Sequence, residues 1–245
     1  LKARANSTVG ILNGIDVGVY DPEECPIIPA HFSAEDLAGK AECKEALQRE
    51  LGLEVREDLP LIIMITRLTE QKGIDLVQRV IEGIMNTGAQ MAVLGSGEKS
   101  YQDFLCWAAW RYKGRFATRI EHNENLSMRM YAGGDILLMP SRFEPCGLAQ
   151  MIAMRFGTIP IVRETGGLKD SVHPYNQYTD EGTGFSFANY NAHEMLYTIE
   201  RAVGYFRGDK EMWQRLRARA MKEDFSWDVS AKRYQEVYEN VLQKP

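Results

Sequence analysis

An α/β protein built on a parallel sheet with helices on both faces is the fold class this sequence predicts, and three observations predict it. Strand-length apolar runs alternate with helical stripes from about residue 39 onward, the pattern of successive βα units. The runs are continuously apolar rather than alternating, as in Leu61-Ile62-Ile63-Met64-Ile65 and Ile136-Leu137-Leu138-Met139, which suits strands covered on both sides. Charged, hydroxyl and glycine residues concentrate just after those runs, where ligands bind in open α/β sheets.

Residues 1–38 read as an irregular segment. Thr8 to Leu12 has the composition of a short strand, and Asn13-Gly14 is a turn signal. Pro22, Pro26 and Pro29 then punctuate a loop that is long for a compact domain, as expected of a segment lying along another surface. From Gly39 to Leu51, Ala41, Leu47 and Leu51 among strong helix formers predict a helix stopped by Gly52. A strand over 61–65 follows, then a helix over 74–85 carried by Ile74, Val77, Ile81 and Ile84. A strand over 90–94, a turn at Gly95-Ser96-Gly97 and a helix over 101–112 come next. Beyond them the sequence predicts a strand over 115–120, a helix over 126–132, a strand over 135–139, a helix over 149–156 and a strand over 158–162. Thr165-Gly166-Gly167-Leu168 reads as a turn. A last short strand at 184–187 precedes three helices, the second over 210–221 and the third after Ser226-Trp227. Trp213, Trp227 and Tyr234 fall at helical spacing there and read as packing surface.

The 245 residues carry 44% apolar and 26% charged side chains and a net charge of −5, a globular profile. No basic run points to nucleic acid or an acidic membrane, and no apolar run reaches transmembrane length. Cys25, Cys43, Cys106 and Cys146 are scattered with no Cys-x-x-Cys pair, which disfavours a zinc site or disulfide framework and fits a reducing cytosol. The chain starts Leu-Lys-Ala-Arg without Met, so it is expected to be a piece of something longer.

Two loops carry most of the chemistry. Ser141-Arg142-Phe143-Glu144-Pro145-Cys146-Gly147-Leu148 puts a carboxylate between a strand end and a helix start, where uncapped N–H groups suit a phosphate. Arg67-Leu68-Thr69-Glu70-Gln71-Lys72-Gly73 places two cations five residues apart in an equivalent loop. Arg67 offers a planar fork and Lys72 a point charge, together suited to a diphosphate. An ordinary strand–turn–helix connection and a solvated basic turn are the plain alternatives. Gly95-Ser96-Gly97 matches neither the dinucleotide fingerprint nor the P-loop. His122, at another strand end, offers a ring to pack on a nucleotide base, though an exposed loop His is the commoner case. Gly166 and Gly167 allow close backbone approach. Cys146 has no His nearby in sequence, so a packing or backbone-donor role is favoured over a nucleophile.

Asn13-Gly14-Ile15-Asp16, the Arg67–Gly73 loop, the Ser141–Leu148 octet, Gly157-Thr158-x-Pro160, Thr165-Gly166-Gly167-Leu168 and Phe225-Ser226-Trp227 occur in this order. Together they closely resemble the C-terminal half of bacterial glycogen synthases and plant starch synthases, over essentially the whole chain. The resemblance implies a Rossmann-like domain forming the C-terminal half of a GT-B glycosyltransferase. Such enzymes transfer glucose from ADP-glucose, with retention and without a metal or other cofactor, to the non-reducing end of an α-1,4-glucan. It implies that Arg67 and Lys72 bind and stabilise the diphosphate, that Glu144 contacts the glucose, and that Cys146, Gly147 and Leu148 face sugar and phosphate through their backbone. Thr165, Gly166 and Gly167 would line the same nucleotide-sugar site. His122 stands where the family often has Tyr beside the adenine. Many related transferases carry a second Glu eight residues after the first; here that position is Ile152, as is common in the synthase branch.

The implied organisation is an interdomain segment (1–38), a nucleotide-sugar domain (39–226) and a C-terminal helix (227–245) packing toward an N-terminal domain this chain lacks. Its expected partners are ADP-glucose, the glucan and that N-terminal domain, with no nucleic acid or membrane. The expected location is the bacterial cytoplasm, or the plastid for a plant protein. A same-fold transferase using UDP or GDP donors, and a non-catalytic glucan-binding module, are the alternatives.

Overall fold

The structure is a computed structural model that describes residues 8–243; residues 1–7 and 244–245, the outer ends of the expected first and last segments, lie outside it. Six strands form one sheet, β1 (Leu61–Ile65), β2 (Gln90–Leu94), β3 (Phe116–Arg119), β4 (Ile136–Met139), β5 (Ile159–Arg163) and β6 (Phe185–Phe187), in the order β3-β2-β1-β4-β5-β6. Every pairing is parallel. The expected parallel sheet with helices on both faces is what the chain forms.

Alternate residues of each strand feed two cores. Ile62, Met64, Met91, Val93, Ile136, Leu138, Ile159 and Ile161 enter one core with the apolar stripes of α2 (Ile74–Asn86), α3 (Lys99–Arg111), α7 (Ala192–Gly208) and α8 (Lys210–Met221). Leu61, Ile63, Ala92, Leu94 and Leu137 enter the other with α1 (Ala38–Leu51), α4 (Glu124–Gly133) and α5 (Ala149–Arg155). Side chains alternate across a pleated strand, so a sheet buried twice requires apolar residues at every position. Ile152 is buried in the second core.

Three expectations are corrected. Thr8 to Leu12 forms no strand; residues 8–14 are irregular, and the first β contact is a single bridge from Ile15 to Ser226. Thr165-Gly166-Gly167-Leu168 is not an open turn but the start of a short helix, α6 (Gly166–Ser171). The late aromatics are not one packing surface. Trp213 is buried, whereas Trp227 and Tyr234 on α9 (Trp227–Leu242) are 51% and 42% exposed, and Ser230 is the one buried residue of that helix. Residues 8–37 lie against this domain itself, with Ile15, Cys25, Ile28 and Phe32 buried in the second core. That segment and α9 are tied together where Ile15 N–H donates to Phe225 O (2.8 Å) and Ser230 Oγ donates to Leu12 O (2.8 Å).

Candidate functional site

β1 is flanked by β2 on one side and β4 on the other, so the chain's winding reverses there and a crevice opens beyond the strand ends. The Arg67–Gly73 loop leaves β1 and the octet leaves β4, which sets the two sequence-predicted loops side by side at that point of the sheet. They are laced together. Arg142 N–H donates to Gln71 O (2.8 Å), the Arg142 guanidinium pairs with Glu70, and Gln71 Nε2 donates to Phe143 O (3.4 Å). Residues 70–72 form a single 3-10 turn rather than open loop. Gly73 closes it in the left-handed region (φ 78°), with its α-carbon so near Pro140 that an added Cβ would lie 2.4 Å from Pro140 O. That close approach requires glycine.

Lys72 Nζ then lies 2.5 Å from Glu144 Oε2, with the two side chains 16% and 10% exposed. Ser141 Oγ also donates to Glu144 Oε2 (3.3 Å). Arg67 is exposed, and its guanidinium donates to Gln71 Oε1 at 3.4 Å. Its guanidinium borders a cleft of about 240 Å³ beyond β1, β2 and β3, whose walls include Gly95, Ser96 and His122. The His122 side chain is 87% exposed, with Nε2 3.8 Å from Glu124 Oε1. Gly95 and Gly97 serve close loop packing: an added Cβ would strike Thr66 O and Leu68 O.

The rest of the octet is held from beneath. Gly167 N–H donates to Glu144 O (3.1 Å), and a Cβ on Gly166 or Gly167 would sit 2.1 Å from Glu144 O or Cys146 O. The close backbone approach that these glycines permit is therefore made to the octet itself. Thr165 precedes them at the end of β5, and no side chain caps α6. Cys146 Sγ accepts from Asn13 N–H (3.4 Å), a packing role rather than a nucleophile beside a base. Gly147 adopts φ 75° and Leu148 opens α5 with no side-chain cap.

Sequence reasoning missed the supports. Gln150, fully buried, donates to Cys146 O, Gly147 O (both 3.1 Å) and Ser171 Oγ (3.0 Å); a Gln inside an apolar helical stripe was the available signal. Arg163 donates from Nε to Ser141 O (2.8 Å) and from Nη2 to Arg142 O. Tyr190 OH lies 2.5 Å from Asp75 Oδ1 and 2.9 Å from Glu70 O, under the Arg142 and Arg163 guanidiniums. Burial, reinforced by Asp75, raises the Tyr190 phenol pKa, so Tyr190 stays protonated as a donor. No signal marked Arg163 or Tyr190 in advance. Among the described residues no cluster of His, Cys, Asp or Glu is placed to hold a metal ion, and no helix is long and apolar enough to cross a membrane.

Residues 50–220 match the family Glycosyl transferases group 1. The chain belongs to that family. As a group 1 glycosyl transferase it is 52% identical to the glycogen synthase of Bacillus cereus (strain B4264) over 234 residues, 96% of this chain and 49% of that protein. It is 49% identical to the glycogen synthase of Geobacillus thermodenitrificans (strain NG80-2) over 244 residues, 100% of this chain and 50% of that protein. The catalytic domain of starch synthase IV from Arabidopsis thaliana, solved bound to ADP and acarbose, superposes with a TM-score of 0.90 at 39% identity, over 100% of this chain and 51% of that one. The resemblance drawn from the ordered motifs is thus borne out, as is the Rossmann-like α/β fold. This group 1 chain spans about half the length of the curated relatives it matches.

Proposed function

We propose that this chain is the nucleotide-sugar-binding half of an ADP-glucose-dependent glucan synthase, and one observation carries the reading. A cation and a carboxylate from two different loops, Lys72 and Glu144, meet at the strand ends, and a second cation, Arg67, on the same loop as Lys72, borders the neighbouring cleft. In this reading the donor's diphosphate competes with Glu144 for Lys72 and accepts the Arg67 fork. Charge-assisted hydrogen bonds are worth about 1.5–3 kcal/mol each. When the bond from glucose C1 to the diphosphate oxygen breaks, the negative charge builds on that oxygen, so these cations favour departure and no metal is needed. Glu144, released from Lys72, accepts from glucose hydroxyls, and the backbone of Cys146, Gly147 and Leu148 faces sugar and phosphate. Thr165 and Gly166 border them, while Gly167 acts by holding the octet. Adenine lies in the cleft by His122. The new bond forms to the hydroxyl at the non-reducing end of an α-1,4-glucan with retention at C1, and that hydroxyl's proton is lost. Residues 39–226 form the donor domain; the segment before it leads to a facing domain that supplies the acceptor surface, and α9 packs toward that domain. The reading places the protein in the cytoplasm.

Calorimetry with ADP, UDP and GDP on the wild-type chain and on Lys72→Ala tests this. ADP should bind best, and Lys72→Ala should weaken it about tenfold or more, the equivalent of one charge-assisted bond. Equal ADP binding by both proteins would sink the Lys72 assignment, and tighter UDP or GDP binding would sink the donor assignment. Retention on an α-glucan affinity gel with no nucleotide binding would point instead to a glucan-binding module.

A further inference from the structure

A second cavity, of about 510 Å³, opens at the other end of the sheet from the crevice. Asp135, the residue before β4, forms part of its floor, and α1 and α8 form its sides. At the exposed rim Arg207 and Lys210 offset Glu57 and Asp58, and Asp58 is also held by Arg56. The deep wall is not balanced. Lys40, Lys44 and Arg217 are 3%, 5% and 8% exposed, and the carboxylate buried with them is Asp135. Lys44 (2.7 Å) and Arg217 both pair with that Asp135. Lys40 Nζ is answered by neutral oxygens alone, those of Ala132 (2.9 Å), Phe156 (2.7 Å) and Thr158 (3.0 Å) among them. Burial holds the Lys40 pKa well below the usual lysine range; even with Lys40 neutral, two buried cations face one anion. Buried charge is unfavourable unless opposite charge is close.

Two more observations point to a ligand. Among the described residues Arg217 Nε and Trp213 Nε1 are buried donors without a hydrogen-bond partner, and both residues line the cavity. The ring of Phe206 supplies a flat apolar wall, with Lys44 Nζ 5.0 Å from its centroid. Cavities of about 300–1,000 Å³ suit small organic molecules.

We propose that this cavity is a binding site, separate from the crevice, for a small organic anion: a phosphate or carboxylate carried on a flat apolar body. The anionic end accepts from the Arg217 guanidinium and supplies counter-charge to Arg217 and to Lys44, whose own N–H groups stay on Glu57 O, Leu59 O and Asp135. The body lies against the Phe206 ring, whose edge-on contact with Trp213 (5.4 Å between centroids) puts the indole beside it. Because the site lies beyond the opposite strand ends from Lys72 and Glu144, it is independent of the proposed donor site.

The test follows the Trp213 indole N–H by NMR, assigned with Trp213→Phe, while the full chain is titrated with phenyl phosphate, benzoate and inorganic phosphate. Ala41, an exposed residue of α1 on the cavity wall, allows a blocking variant, Ala41→Trp, that leaves the charged residues in place. Phenyl phosphate or benzoate should move the Trp213 resonance saturably, the stronger of the two naming the anionic group, and inorganic phosphate should bind less tightly than phenyl phosphate. Ala41→Trp and Arg217→Lys should each weaken binding about tenfold, and Lys72→Ala should leave it unchanged. No saturable movement with either aromatic anion, or movement abolished by Lys72→Ala but untouched by Ala41→Trp, would overturn the proposal.

Discussion

Asp135 shows how one residue ties charge to stability. It accepts from Leu61 N–H (2.9 Å) at the head of β1 while pairing with Lys44 of α1 and Arg217 of α8. Burial pushes its pKa up, but Lys44 and Arg217 outweigh that and hold it below the ordinary aspartate range. A carboxylate with a depressed folded pKa contributes stability that is complete above its unfolded value and lost as pH falls through the folded one. Asp135→Asn should therefore cost about 3–5 kcal/mol at neutral pH, since it leaves buried cations unpaired, and should flatten the acid limb below about pH 4. Urea denaturation across pH checks both. A variant that keeps the wild-type acid limb would remove Asp135 from this role. At the same scale, Glu144 and Lys72 were legible because each stands in a polar loop right after an apolar strand. Their pairing was not, since they are 72 residues apart in sequence and β4 had first to be known as the neighbour of β1.

The elements around the crevice act as a set of clamped loops. Tyr190, after β6, is hydrogen-bonded to the 3-10 turn through Glu70 O and to α2 through Asp75. Arg163, at the end of β5, holds the Ser141 and Arg142 carbonyls. Tyr190→Phe removes the hydroxyl and leaves Asp75 without that donor, so it should cost about 1–2 kcal/mol in thermal or urea unfolding. Loosening the turn that carries Lys72 should also weaken ADP binding several-fold, whereas wild-type affinity in Tyr190→Phe would show that the turn holds its shape without it. Apolar elements such as β1, β2 and α2 were readable from pattern alone, because burial on both faces or on one stripe writes itself into every residue. α6 was misread because its two glycines suggest a turn, and what they approach, the backbone of Glu144 and Cys146, is some 20 residues away. Arg163 and Tyr190 belong to no local pattern; only the folded sheet brings them under the octet.

At the scale of the whole molecule, the parallel sheet gathers six loops at one end, three carrying Arg67, Lys72, His122 and Glu144, and leaves a second, cationic cavity at the other. Two exposed features fit a facing domain in the proposed enzyme: the solvated aromatic side of α9, with Trp227, Tyr234 and Tyr238, and the open crevice itself. Membership of the glycosyl transferases group 1 and the close likeness to glycogen and starch synthases agree with that architecture. The central claim is that the crevice takes a nucleotide diphosphate by drawing Lys72 away from Glu144. A crystal structure of the chain with ADP tests it most directly. The diphosphate should lie between Arg67 and Lys72, with the adenine in the cleft beside His122 and Glu144 no longer paired with Lys72. ADP bound elsewhere, or bound in the crevice with the Lys72–Glu144 pair intact, would contradict it.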